Sequence, residues 1–210
     1  CSTAQRNGVP YVVTPHSPFA LPDFGSLSAK NIKKRFAWAI SYRSMLAGAK
    51  FIHALTDDER TQIDRLNLDV PVVVAPNGIF LEEIDPLPPP GTFRAAHPEI
   101  GDDPYVLFLG RLHAQKGLDI LAPAFAKVLE MIPRARLVVA GPDYGARAEF
   151  LQIISRLNIS TRVHVIGPVF GTEKLAAYVD AACFCLPSRQ EGFSMAVLEA
   201  LACGTPVVVS

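Results

Sequence analysis

The sequence predicts an α/β protein of two units, each a parallel sheet with helices on both faces in the doubly wound arrangement. Three observations predict it. Short β-branched segments alternate with amphipathic ones along most of the chain. That alternation is interrupted by a stretch without periodicity, residues 84–104, which holds six prolines (Pro86, Pro88, Pro89, Pro90, Pro98 and Pro104) and reads as a semi-rigid linker. With 210 residues, 50% hydrophobic and 19% charged, and a mean hydropathy of +0.24, the chain can bury a sizeable core and is not a disordered tail. The units implied are 1–83 and 105–210, joined by the linker 84–104.

Before the linker, residues 9–14 read as a strand, followed by a Pro-rich loop and a helix near Ala29 to Gly48. A strand at 51–55 leads into a helix opened by Thr56-Asp57-Asp58-Glu59, where Thr56 and Glu59 have capping-box spacing, and 70–75 is the next strand. After the linker, strands are expected at 105–109, 136–140, 163–166, 183–186 and 206–209. Helices are expected between them, near 118–132, 146–157, 172–181 and 194–202. Pro123 sits early in its helix and should kink it or mark its first turn. The first residue is Cys1 rather than Met, and the last follows an apolar strand, so the chain is expected to be a piece of a longer protein with both units incomplete.

Twenty Lys and Arg balance twenty Asp and Glu, so the net field that drives non-specific nucleic-acid binding is absent and no nucleic-acid partner is expected. The longest uninterrupted apolar run, Ala181 to Leu186, is far short of the roughly 20 residues that span a bilayer. Four cysteines without CxxC spacing (Cys1, Cys183, Cys185 and Cys203) suit buried free thiols better than disulfides or zinc, which suggests a cytoplasmic setting. The charge is uneven: residues 1–50 carry seven Lys or Arg against the single acid Asp23. Lys30, Lys33, Lys34 and Arg35 lie on the helix near Ala29 to Gly48 with Ile32, Phe36 and Ile40 at spacings of four. Such a helix suits first a solvated basic face covering the first sheet, and second peripheral contact with anionic lipid.

In open parallel sheets ligands bind beyond the carboxyl ends of the strands, so the loops there carry the chemistry. Gly110-Arg111-Leu112-His113-Ala114-Gln115-Lys116-Gly117 directly follows the strand at 105–109. Its glycine permits close backbone approach, and two cations five residues apart bracket the start of the next helix, which is how a diphosphate would be held. A plain surface turn would also carry an Arg and a Lys, and neither a GxxxxGK loop nor a GxGxxG fingerprint is present. The second segment is Glu191-Gly192-Phe193-Ser194-Met195-Ala196-Val197-Leu198-Glu199. Eight residues of helix span roughly 12 Å, too far for the two acids to share one proton-transfer site, so they suit two ends of an extended ligand. Gly192 and Ser194 offer backbone N–H groups at a helix start, suited to a phosphate or sugar oxygen. The apolar neighbours of Glu199 disfavour an exposed position for it.

Glu191 to Glu199 resembles the E-x7-E motif of retaining GT-B glycosyltransferases, and Gly110-Arg111-Leu112 with Lys116-Gly117 resembles their diphosphate loop. In order and spacing these segments are similar to glycosyltransferase family 4. Ala75-Pro76-Asn77-Gly78-Ile79, Val139-Ala140-Gly141-Pro142 and Gly167-Pro168-Val169 match as well, so the resemblance covers most of the chain. It implies a GT-B fold of two Rossmann-like domains, the first on the acceptor side and the second binding the donor. It implies transfer of a sugar from a nucleotide-diphosphate sugar to an acceptor with retention at the anomeric carbon. Gly110, Arg111 and Lys116 would bind the diphosphate, the two cations neutralising it, and Glu199 would accept hydrogen bonds from the ribose. Gly167 to Val169 would frame the base. Glu191, with the amides of Gly192, Phe193, Ser194 and Met195, would hold the transferred sugar and its phosphate. His16, in Thr14-Pro15-His16, matches the place of the family's catalytic histidine. No cofactor or metal is implied, the nucleotide sugar being a co-substrate, and the sequence has no Asp-x-Asp motif.

Two alternatives share the architecture. A sugar phosphorylase would need a lysine placed for pyridoxal phosphate, and none is seen. A non-catalytic nucleotide-sugar-binding module would be expected to have lost some of Arg111, Lys116, Glu191 and Glu199. The resemblance also implies further elements on both sides of the chain, so the 210 residues alone are expected to be inactive.

Overall fold

Val12–Val13 (β1), Phe51–Ala54 (β2) and Val72–Val74 (β3) pair in parallel in that order, with Val12 opposite Phe51 and Ile52 opposite Val72. They belong to the first of two compact units in a computed structural model that describes residues 2–15 and 43–210. That unit comprises Cys1–Gly78 together with Glu191–Phe193, and the second comprises Ile79–Gln190 together with Ser194–Ser210. A short helix, Ser2–Arg6 (α1), precedes β1. β1 is shorter than the expected strand because Pro10 has no N–H to give a ladder and Gly8 turns the chain at φ +66°. His16 and the basic residues Lys30, Lys33, Lys34 and Arg35 lie outside the described residues. The described end of the expected basic helix is Arg43–Ala47 (α2).

β-branched residues suit the half-buried sheet, and Leu46, Ile52, Ala54, Ile63 and Leu66 are buried together against one of its faces. The helix Asp57–Asp64 (α3) starts as its sequence requires, with the Thr56 hydroxyl accepting the Glu59 N–H at 3.1 Å. The return bond differs from the expected box. Glu59 Oε2 accepts the N–H of Leu55 at 2.6 Å, one residue before the cap, and thereby ties the helix start to the end of β2.

The second unit is a five-stranded parallel sheet. Its strands are Tyr105–Leu109 (β4), Arg136–Ala140 (β5), Val163–Gly167 (β6), Cys183–Leu186 (β7) and Val207–Val209 (β8), in the spatial order β6-β5-β4-β7-β8. Leaving aside Thr92–Ala96 (α4), which precedes the sheet, the crossovers carry Leu118–Met131 (α5), Arg147–Arg156 (α6), Gly171–Val179 (α7) and Met195–Ala202 (α8). Leu107, Phe108, Leu137, Val138, Val139 and Phe184 are wholly buried, as both faces of a parallel sheet must be when helices cover them. α5 runs on for eight residues beyond Pro123, so the proline neither ends the helix nor sits in its first turn.

Residues 84–104, expected as a linker, fold with the second unit. Ile84, Phe93 and Ile100 are buried in its core. Asp180, at the end of α7, accepts the N–H groups of Gly91 (2.5 Å), Phe93 (3.0 Å) and Arg94 (3.2 Å) and so caps α4 from across the sequence. The His97 ring packs at a tilt against Phe93, their centres 4.4 Å apart, and lies 3.0 Å from Glu173 at the other end of α7. Composition alone reads this stretch as linker because its few apolar residues follow no period. Asp180 and the sheet supply the partners that a local pattern does not show.

Candidate active site

Strands β4 and β7 are neighbours, Val106 opposite Cys183, although two strands separate them in sequence. The chain leaves β4 toward β5 on one side and reaches β7 on the other. The carboxyl ends of β4 and β7 therefore form the switch point of the sheet, where open α/β folds leave a crevice. The two segments singled out from the sequence follow these two strands along the chain, the first directly and the second after residues 187–190.

The loop after β4 closes in a 3₁₀ turn, Ala114–Lys116, whose start is capped by His113 Nδ1 accepting the N–H of Gln115 at 3.2 Å. Gly117 follows at φ +70°, and a Cβ there would overlap the carbonyl oxygen of Pro187 in the loop after β7. Arg189 completes the tie. Its N–H donates to the Gln115 carbonyl (2.8 Å), its guanidinium to the Ala114 carbonyl (2.9 Å) and to both oxygens of Asp119 (2.8 and 2.5 Å). The paired Arg189 holds the Asp119 carboxyl below the usual carboxylate range. Lys116 is thus presented on a turn braced from the neighbouring loop. Arg111 is exposed, with its guanidinium carbon 5.5 Å from the centre of the Tyr144 ring.

Toward the sheet edge, Gly110 N–H donates to Ala140 O (3.0 Å) and Gly141 N–H to Gly167 O (2.7 Å). Gly141 has φ +144°, and a Cβ on it would overlap Gly110 O. Gly110, Gly141 and Gly167 so line up along the carboxyl ends of β4, β5 and β6. Beyond them Val169 is buried and Phe170 is 74% exposed.

Ser194 caps α8, its hydroxyl accepting the Val197 N–H at 3.4 Å, so this helix starts where the sequence places it. Glu191, Gly192 and Phe193 group with the first unit, whereas Ser194, Met195 and Glu199 belong to the second. Glu199 is not an exposed helix acid. Its side chain is 20% exposed, with Lys174 Nζ 2.8 Å from Oε1 and the Tyr178 hydroxyl donating to Oε2 at 3.3 Å. Lys174 and Tyr178 were not singled out from the sequence, although their spacing of four on an amphipathic helix puts them on one face. Arg189 and Asp119 carry no such signal, being 70 residues apart.

A cavity of about 250 Å³ lies between α5 and α6, lined by Leu118, Phe150, Ile153 and Arg189, and none of the expected ligand residues lines it. Among the described residues no group of three or more His, Cys, Asp and Glu is placed to hold a metal, and no helix is long and apolar enough to cross a membrane.

Family comparison decides what this arrangement belongs to. The model described as Glycosyl transferases group 1 matches residues 91–210, and one described as Glycosyl transferase 4-like domain matches residues 1–78. The chain belongs to the group 1 glycosyl transferase family. Curated relatives of this group 1 chain include the D-inositol 3-phosphate glycosyltransferases of Frankia alni and Kineococcus radiotolerans. The first is 33% identical over all of this chain and 53% of the relative, the second 30% identical over 99% and 50%. The chain spans about half the length of these relatives. Among solved structures, sucrose-phosphate synthase from Thermosynechococcus elongatus superposes with TM-score 0.77 at 25% identity, covering 99% of this chain and 52% of that one. Anabaena Alr3699/HepE, in complex with UDP and glucose, reaches TM-score 0.79 at 19% identity over 99% and 55%, a likeness of fold. The parallel α/β units and these neighbours show the GT-B fold, built of Rossmann-like units, that group 1 chains share.

Proposed function

We propose that the protein is a retaining glycosyltransferase that takes its sugar from a nucleotide-diphosphate donor bound at the carboxyl end of the second sheet. The observation that carries this reading is that the Arg111–Lys116 loop follows β4 and the Glu191–Glu199 segment follows β7, the two strands that flank the switch point. As the glycosidic bond to the leaving phosphate lengthens, negative charge builds on the diphosphate and positive charge on the sugar ring. Arg111, Lys116 and the backbone amides at the start of α8 are preorganised to meet the first, and a site of this kind favours the transition state over the ground state. Glu199 takes the ribose and Gly167 to Val169 frame the base, while Glu191 and His16 act on the transferred sugar. The D-inositol 3-phosphate acceptor of the curated relatives is the first acceptor to try.

Equilibrium binding of UDP, GDP and ADP, with Glu199→Ala and an Arg111→Ala/Lys116→Ala double variant beside the wild type, tests the donor site. One nucleotide should bind in the micromolar range and lose that affinity in both variants. Binding that survives both, or none in the wild type, would refute the assignment. Retention is tested separately, by the anomeric configuration of the first-formed product in the NMR spectrum.

A further inference from the structure

Glu199 is gripped by two donors one turn apart on α7. Lys174 Nζ sits 2.8 Å from Oε1 and the Tyr178 hydroxyl 3.3 Å from Oε2. Burial first, and then the charge of Glu199, push the Tyr178 hydroxyl well above its ordinary value, so it keeps its proton and donates. Tyr178 is itself anchored, since it is wholly buried and its carbonyl accepts the Thr205 hydroxyl at 2.8 Å. The side chains of Lys174 and Glu199 are 28% and 20% exposed, shielded on most sides but open on one.

A carboxylate offers about four acceptor positions, two on each oxygen. Lys174 and Tyr178 occupy one on each. One acceptor position is then left over on each oxygen, which matches two hydroxyls better than a single donor. Resting on the donor-site reading above, we propose that Lys174 is a positioning residue for ribose recognition: with Tyr178 it holds the Glu199 carboxylate so that both oxygens face the vicinal diol of a nucleoside diphosphate. Removing the ammonium leaves a part-buried carboxylate without its charged partner, and such a group turns toward solvent. That change loses the paired acceptors without touching the diphosphate loop.

The test is a ratio. Dissociation constants are measured for UDP and 2′,3′-dideoxy-UDP, with the corresponding GDP and ADP pairs alongside, on wild type, Lys174→Met, Lys174→Arg, Tyr178→Phe and Glu199→Ala. Two hydrogen bonds to a charged acceptor give the wild type a preference for the ribose form on the order of 100-fold. Lys174→Met, which keeps the aliphatic stem, should reduce it to about tenfold or less, with the dideoxy affinity changed by no more than about threefold. Lys174→Arg should recover most of the preference, and Tyr178→Phe should lose part of it. A merely structural lysine would weaken both nucleotides alike and leave the ratio where it was. An unchanged ratio in Lys174→Met, with the ratio abolished in Glu199→Ala, overturns the role of Lys174 and leaves the donor site standing. A wild type that binds no nucleotide, or binds both forms equally, overturns the donor-site reading and this one with it.

Discussion

The α-carbon of Gly117 packs against the carbonyl oxygen of Pro187, so closely that a methyl group in its place would overlap that oxygen. The loops after β4 and β7 are in contact there, and the Arg189 N–H on the Gln115 carbonyl joins them again at 2.8 Å. The position of Lys116 therefore depends on a residue with no side chain. A glycine at φ +70° satisfies both the turn and the contact.

Gly117→Ala should consequently cost more than the left-handed backbone alone, which is worth about 1–2 kcal/mol. Gly145 is the control, because it has φ +94° but no atom within 4 Å of the Cβ it would gain. In urea denaturation Gly117→Ala should exceed Gly145→Ala by a further ~1–3 kcal/mol, since the obstructing group is backbone and cannot swing aside. Equal losses would show that the two loops separate freely.

Phe93 tests where residues 84–104 belong. It is 1% exposed and packed against His97 and Tyr105, and α4 is capped by Asp180. Phe93→Ala should destabilise the second unit by about 3–5 kcal/mol in chemical denaturation followed by circular dichroism. A connector outside the core would tolerate the change with almost no loss.

His164 sets an expectation for pH. Burial, and then the charge of Arg136, hold its pKa below the usual imidazole value. The geometry agrees: Arg136 lies 3.3 Å from Nε2, and a guanidinium only donates, so Nε2 accepts and the ring is neutral. An unfolded histidine takes up its proton near pH 6.5, whereas the folded one resists until lower pH. The contribution of His164 to stability is therefore constant above about pH 6.5 and falls as the pH drops below it, because the unfolded state then binds more protons. Thermal unfolding between pH 7.5 and pH 5 should show this fall, and His164→Gln should flatten it. A steeper fall in the variant would contradict the assignment.

Much of the second unit is legible residue by residue. Tyr105–Leu109 and Arg136–Ala140 have the apolar, β-branched character of doubly covered strands, and their ends agree with the expectation to the residue. Thr56 and Ser194 mark helix starts by chemistry that acts within four residues, so the caps are visible without a fold. The Arg111–Lys116 loop and the two acids of Glu191 to Glu199 were likewise conspicuous from spacing alone. What escaped is non-local. Nothing near Glu199 in the sequence names Lys174 or Tyr178 as its partners, and nothing near Lys116 names Arg189. Ile84, Phe93 and Ile100 look like stray apolar residues in a proline-rich stretch until the sheet and Asp180 are beside them.

The sequence by itself determined the α/β class, the existence of the sheet strands and of the helices between them, and the loops in which ligand chemistry is concentrated, because periodicity, caps and turn residues are physical consequences of neighbours along the chain. Tertiary structure decided the order β6-β5-β4-β7-β8, which puts the β4 and β7 loops side by side at the switch point. It also decided which groups hold the Glu199 carboxylate, Lys174 and Tyr178 on α7. Strand pairing and ion pairing join residues that share space and not sequence, and folding the backbone is what brings them within bonding distance.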